Sequence, residues 1–305
     1  MEVFLQTLKA GIAIGSLYAL IALGYTMVYG ILKFINFAHS DIVVLGAWLS
    51  LTLAKMMEKA VGLAWWVGGL VLVAAMVACG LIGFTIERLA YKPLRNAPRL
   101  NVLITAIGVS LFLQNLGQLS WMFGTRPARI PQILPDTVLF TIANVNFTIL
   151  DAVGIGTALG LMVALDYLVF HTKLGRGMRA VSHNTTTAAL MGVPVNRTIS
   201  ITFVIGACLA AAGGFLWALK YAQINQTADS SWVLIGLKAF VAAVVGGIGN
   251  IRGAMLGGLA IGLLEQFGAT YFSSSMQDVY VFGALILVLL VKPGGILGKA
   301  TVEKV

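Results

Sequence analysis

Charge is what this chain has least of. Only 10% of its 305 residues are Asp, Glu, Lys or Arg, and acids are the rarer sign, 11 against 20 bases. A soluble domain covers its surface with such groups, so their scarcity excludes one here. Cysteine is nearly absent too: Cys79 and Cys208 lie inside apolar segments, which excludes a secreted disulfide framework and a cysteine metal cluster. No His–Cys metal spacing and no Ser–His–acid arrangement can be assembled, so no catalytic residue and no metal ligand is assigned. Gly294 to Lys299 imitates a phosphate loop, but one residue of spacing is missing and Ala300 stands where Ser or Thr would hold magnesium.

What is abundant is apolar surface, with 59% hydrophobic residues and a mean hydropathy of +0.94. At about 20 residues per crossing, eight or nine spans consume most of the chain. The expectation is an all-α polytopic transmembrane bundle of about eight to nine membrane segments, some interrupted or re-entrant, forming a single domain over residues 1–305. The net charge of +9 could suggest nucleic acid, but the bases fall in short connections between apolar runs, where they orient a chain in the bilayer. Glu2 and Lys9 supply no basic n-region, and no small-residue cleavage site follows, so the first apolar run reads as a retained anchor.

Taken in order, spans are expected at about Ala10–Ile31, up to Ala54, Leu63–Ile86, Val102–Phe123, Ala152–Phe170, Thr198–Leu219, Val233–Asn250, Arg252–Gly268 and Val279–Val291. Between the first two, Lys33 to Asp41 is too polar for lipid; it is either a surface loop or a helix break inside the membrane, tolerated only where protein or a watery cavity receives it. Gly124 to Asp151 balances its charges and reads as the outer side, whereas the basic stretch Glu87 to Arg99 reads as cytoplasmic. Lys292, Lys299 and Lys304 place the C-terminus in the cytosol; the N-terminus lies outside if all nine segments cross, and inside if the segment near Asn36 is re-entrant. Asp166 and Glu265, near span ends, read as interfacial. A faint echo links Leu32, Lys33, Ile35, Asn36, Ala38 and Asp41 to Leu219, Lys220, Ile224, Asn225, Ala228 and Asp229; paired interrupted helices of this kind mark transporter binding regions.

The polar interval of about 173–197 holds Lys173, Arg176, Arg179 and Arg197 with no acid. Asn184 or Thr185 can cap a short helix over Thr186–Met191, and Gly192 with Pro194 stops it. Two turns are marginal alone in water, so Leu190, Met191 and Val193 need cover from this protein or another.

Several of these stretches are specific together: Asn36-Phe37-Ala38-His39, Gly175-Arg176-Gly177-Met178-Arg179-Ala180 leading to Met191-Gly192-Val193, Leu237-Lys238-Ala239-Phe240 with Gly246-Gly247-Ile248-Gly249, and Gly253-Ala254-Met255-Leu256-Gly257-Gly258. In this order, over nearly the whole chain, they resemble the LivH-type permease of branched-chain amino acid ABC transporters. The resemblance implies a multi-pass protein of the bacterial inner membrane. It also implies a second permease of the LivM type, two cytosolic ATPase subunits that carry ATP and magnesium, and an extracytoplasmic protein that binds leucine, isoleucine or valine. This chain would hold no cofactor. His183-Asn184 stands where the family carries an acidic pair, and Ser40 where it carries glycine.

The resemblance makes the central short helix the coupling helix, with Arg176, Arg179, Thr187, Ala188, Ala189, Leu190, Met191 and Gly192 meeting an ATPase. Asn36, His39, Asp41 and Lys238 are the candidates for the substrate pathway, because ionisable groups in membrane segments are costly. Their competing readings are a satisfied turn for His39 and Asp41, and snorkelling to the interface for Lys238. Gly246, Gly247, Gly249, Gly253, Gly257 and Gly258 are read as close-packing points or as a flexing junction. A permease for urea or short amides fits the same pattern. An ion-coupled secondary transporter would need more embedded acids than Asp41 and Glu265.

Overall fold

The computed structural model describes residues 1–298 except 63 and 96. The span start at Leu63 and the expectations on Lys299, Ala300 and Lys304 lie outside the described residues. Eleven α-helices make up the described architecture: α1 (Glu2–Leu32), α2 (His39–Val61), α3 (Trp65–Ile86), α4 (Arg99–Gly117), α5 (Ile149–His171), α6 (Lys173–His183), α7 (Thr185–Leu190), α8 (Val195–Tyr221), α9 (Ser230–Gly246), α10 (Ile251–Tyr271) and α11 (Gln277–Val291). Seven of the spans, those of α1 to α5, α8 and α11, are long and apolar enough to cross a membrane. α10 reaches about 30 Å at 1.5 Å per residue, but Arg252, Glu265 and five glycines dilute its hydropathy. The protein is a helical polytopic membrane bundle.

The connection after α4 departs from the all-helical expectation. Strand β1 (Ala128–Arg129) pairs with β4 (Gln223–Ile224), and β2 (Val138–Ile142) with β3 (Val145–Thr148), both antiparallel. The hairpin turns through Ala143 and Asn144 at positive φ. The short apolar run Val138 to Ile142, with only Thr141 polar, cannot announce a strand inside a chain this hydrophobic.

α1 is the axis of the packing and is buried over most of its length. Its small residues let backbone meet backbone: a Cβ built on Gly262 would lie 2.3 Å from Gly15 Cα, and one on Gly258 2.4 Å from Ala19 Cα. In lipid, where apolar burial gives helices little reason to associate, such close approach supplies the attraction. α8 is held likewise, with Gly214 against the Val43 carbonyl of α2 and Gly83 of α3 against Ala207.

The basic connections gather on one face. Ser182 of α6 donates to the Gly30 carbonyl (2.6 Å), Arg95 reaches Asn196, and Arg252 pairs with Asp166 at 2.8 Å. Lys9, near the N-terminus, meets Asp151 and the Asn146 carbonyl at the opposite face. The N-terminus therefore lies at the face opposite the basic connections, the face that the positive-inside rule assigns to the outside.

The polar stretch after α1 is a break inside the bundle. α1 ends with Lys33 in the left-handed region, and the chain then turns back so that His39, at the start of α2, packs on Gly24. Gly24 lies eight residues before the end of α1, a depth of about 12 Å at the helical rise. From there α2 climbs to the outer face, where Trp48 Nε1 donates to the Asn225 carbonyl. The echo has a structural counterpart: α8 also ends left-handed, at Ala222, before α9 begins. Packing partners exchange accordingly. α1 lies against α9 and α10, and α8 against α2 and α3, while α1 and α8 also pack on each other.

Candidate functional site

On the basic face, α6 and α7 form a capped elbow. Thr172 Oγ1 accepts from Gly175 N, and Asn184 Oδ1 accepts from Thr187 N at 2.9 Å, so the asparagine is the cap. The short helix begins at Thr185 and ends at Leu190, one residue earlier than expected at each end. α6 was not anticipated as a helix. Its buried residues Gly175, Met178 and Val181 recur every three positions, and that spacing was the available signal.

Gly192 closes α7 at φ +80, a backbone that L side chains avoid, and its N–H and that of Val193 return to the carbonyls of Ala189 and Ala188. Ala188 is buried, supporting the helix from beneath. Leu190 and Met191 project outward, 83% and 79% exposed. Arg176 and Arg179 are exposed, and Arg179 lies over the Phe170 ring.

Deeper in the bundle, the break before α2 gathers polar groups. Asn36 Oδ1 accepts from Ala38 N (3.1 Å) and from Tyr91 OH (2.6 Å). Tyr91 is delivered by a π-helical turn, Glu87–Tyr91, that extends α3; such turns cost regular hydrogen bonding and recur at functional positions. The same turn buries Glu87 completely, with Ser200 donating to it at 2.6 Å and Arg95 paired to it. The sequence places Glu87 at the start of a basic cytoplasmic stretch; the structure makes it an internal tie between α3 and α8.

His39 is 2% exposed, edge-on to Tyr25, and occupies the space a Cβ on Gly24 would fill. Asp41 Oδ1 accepts from Gln114 Nε2 of α4 at 2.9 Å, and Gln114 also holds Ser110. Thr227, from the segment between α8 and α9, donates to the Gln114 carbonyl. His39 Nε2 and Asp41 Oδ2 are buried and have no hydrogen-bond partner among the described residues. Burying polar atoms without partners costs free energy. Gln114 and Thr227 were not singled out in the sequence, where an amide or hydroxyl in an apolar run is unremarkable.

Lys238 sits apart from that group. Its ammonium meets Glu265 and Asp278, each at 2.7 Å, and Tyr18 OH donates to Glu265 at 2.8 Å. Glu265 is therefore not an interfacial acid as its sequence position suggested: it is 4% exposed, enclosed between α1, α9 and α10 because Lys238 neutralises it there. Asp166 does lie nearer the surface, paired with Arg252. The glycines meet backbone closely. A Cβ on Gly246 would stand 2.0 Å from the Gly253 carbonyl oxygen, and one on Gly257 2.1 Å from that of Ala242.

Comparison with known proteins bears on this arrangement. Residues 7–291 match the family model for the branched-chain amino acid transport system permease component. The chain is similar to the high-affinity branched-chain amino acid transport permease LivH of Salmonella typhimurium (41% identity; 99% of this chain and 98% of the other). It is equally similar in extent to BraD of Pseudomonas aeruginosa, at 43% identity over 99% and 98%. A probable LivH of Methanocaldococcus jannaschii is 30% identical over 95% of this chain and 91% of its own.

Proposed function

The chain belongs to the family of branched-chain amino acid transport permease components, and from that premise we propose that it carries leucine, isoleucine and valine across the bacterial inner membrane. It acts as one membrane domain and performs no covalent chemistry itself. ATP and magnesium are held by two cytosolic ATPase subunits, a second permease of the LivM type completes the channel, and an extracytoplasmic binding protein delivers the amino acid.

The observation that carries this reading is the α6–α7 elbow. A six-residue helix is marginal alone, yet it is capped at both ends, anchored by Ser182 to α1, and still presents Leu190 and Met191 to solvent. An apolar tip on a fixed base suits insertion into a groove of another protein. ATP-driven closure of the ATPases moves this tip, and the bundle changes the side to which its pathway opens. Asn36, His39 and Asp41 border that pathway through the break before α2. Arg176 and Arg179 flank the contact, while Lys238 steadies the helices around it.

Uptake of radiolabelled leucine into proteoliposomes tests the proposal, comparing the chain alone with the assembled system, with and without internal ATP. Uptake confined to the complete, ATP-loaded system is the expected result. Gradient-driven uptake by the chain alone would overturn it in favour of an ion-coupled carrier. Gly192→Leu should cost both ATPase copurification and uptake, because its positive φ cannot be kept.

A further inference from the structure

The outer face holds a cavity of about 300 Å³ between α1, α5 and α8, roofed by the connection that carries the β2–β3 hairpin. Its lining is mixed in a particular way. Lys220, at the last turn of α8, and Asp136, from the connection, bring opposite charges to its lining, and Leu17, Leu216, Leu219 and Ile155 form the apolar wall. The other local charges are already committed: Lys9 pairs with Asp151, which also bonds Thr148. Among the described residues Lys220 makes no ion pair and no side-chain hydrogen bond; the Asp151 carboxylate, whose ion pair is with Lys9, also lines the cavity and acts on Lys220 only from beyond contact. A half-buried Lys with no direct ion pair, lining a cavity, is an anion-receiving group.

We propose that this cavity is an outer receiving site for a zwitterionic aliphatic α-amino acid. Lys220 takes the carboxylate, Asp136 the ammonium, and the leucine-rich wall the side chain. The volume sits at the small end of the range of about 300–1,000 Å³ for ligand pockets, which suits a molecule of this size and not a nucleotide. The assignment rests on the transport function proposed above and adds where the substrate first meets this chain.

Gly154 supplies a test with little risk to the fold. It lines the cavity from α5, and a Cβ there meets nothing within 4 Å; Gly156, one turn-fraction away and outside the cavity, is equally open. Gly154→Leu should fill the site and lower ATP-driven leucine uptake by about tenfold or more, while Gly156→Leu transports as the parent does. For the carboxylate, binding of radiolabelled leucine to the purified assembled transporter, without binding protein, is competed with leucine and with leucinamide. The parent should prefer leucine by roughly 10- to 100-fold, the worth of a charge-assisted hydrogen bond. Lys220→Met should erase the preference and Lys220→Arg restore most of it. Unaltered preference in Lys220→Met together with full uptake in Gly154→Leu would overturn the site while leaving leucine transport intact. Binding that tracks the phosphatidylethanolamine content of the bilayer and ignores free leucine would overturn it too, by showing a lipid head group as the occupant. Failure of the parent to transport leucine at all would instead strike the function from which the proposal starts.

Discussion

The two interrupted regions handle buried charge in opposite ways. In α9, Lys238 is closed off by two carboxylates, and a tyrosine completes the cluster. In α2, Asp41 has one oxygen on the amide of Gln114 and the other bare, and His39 beside it also keeps a bare nitrogen. A fully satisfied network rigidifies; a partly satisfied one stores unpaired hydrogen-bonding capacity. The difference teaches which region is scaffold and which is poised to change partners.

The largest effect expected from breaking this contrast is at Lys238→Met. It strands Glu265 in the bundle and should cost about 3 kcal/mol, the lower end for breaking a buried pair because Asp278 is half exposed. Unfolding in mixed detergent micelles measures it, and adding Glu265→Gln should recover part of the loss. Gly24→Ala comes next, at about 1–3 kcal/mol, since the new methyl enters the space of the His39 ring. Thermal midpoints would register that, and a midpoint equal to the parent's would mean the ring has room to move.

Asp41→Asn should divide the two properties. It keeps an acceptor for Gln114, so stability changes by under about 1 kcal/mol, whereas uptake falls about tenfold if the bare oxygen works in the pathway. Equal uptake in parent and variant would make α2 as much scaffold as α9. The smallest shift is at Asn184→Ala, which removes a cap worth about 1 kcal/mol. It should fray α7 and raise the ATP hydrolysed per leucine moved, with the bundle's own unfolding unchanged.

Much of this was legible in the residues: the long apolar runs gave the membrane-length helices, and Asn184, Gly192 and Pro194 gave α7, though not the α6 that carries it. Position along a span, however, says nothing of depth within protein. Glu265 looked interfacial because the helix lengths put it near an end, and only the long-range pairing with Lys238 explains its burial. Gln114 and Thr227 escaped for the same reason: they gain meaning from Asp41, which is distant in the chain. The hairpin was hidden because Val138 to Ile142 is one more short apolar run in an apolar chain.

Ser182 joins the elbow to the Gly30 carbonyl, and α1 continues from that point to the opposite face with glycine-close backing from α10. Mechanically this is a rod gripped along its length and held at its tip. A load applied at α7 would reach α1 through α6, which also packs on α5 and α8, and the grip along α1 favours tilt or rotation of the whole rod over local bending. On the coupling role proposed for α7, the stiffness of the α1–α10 seam would set how far such a load carries, so softening that seam should lower leucine uptake without loosening ATPase copurification.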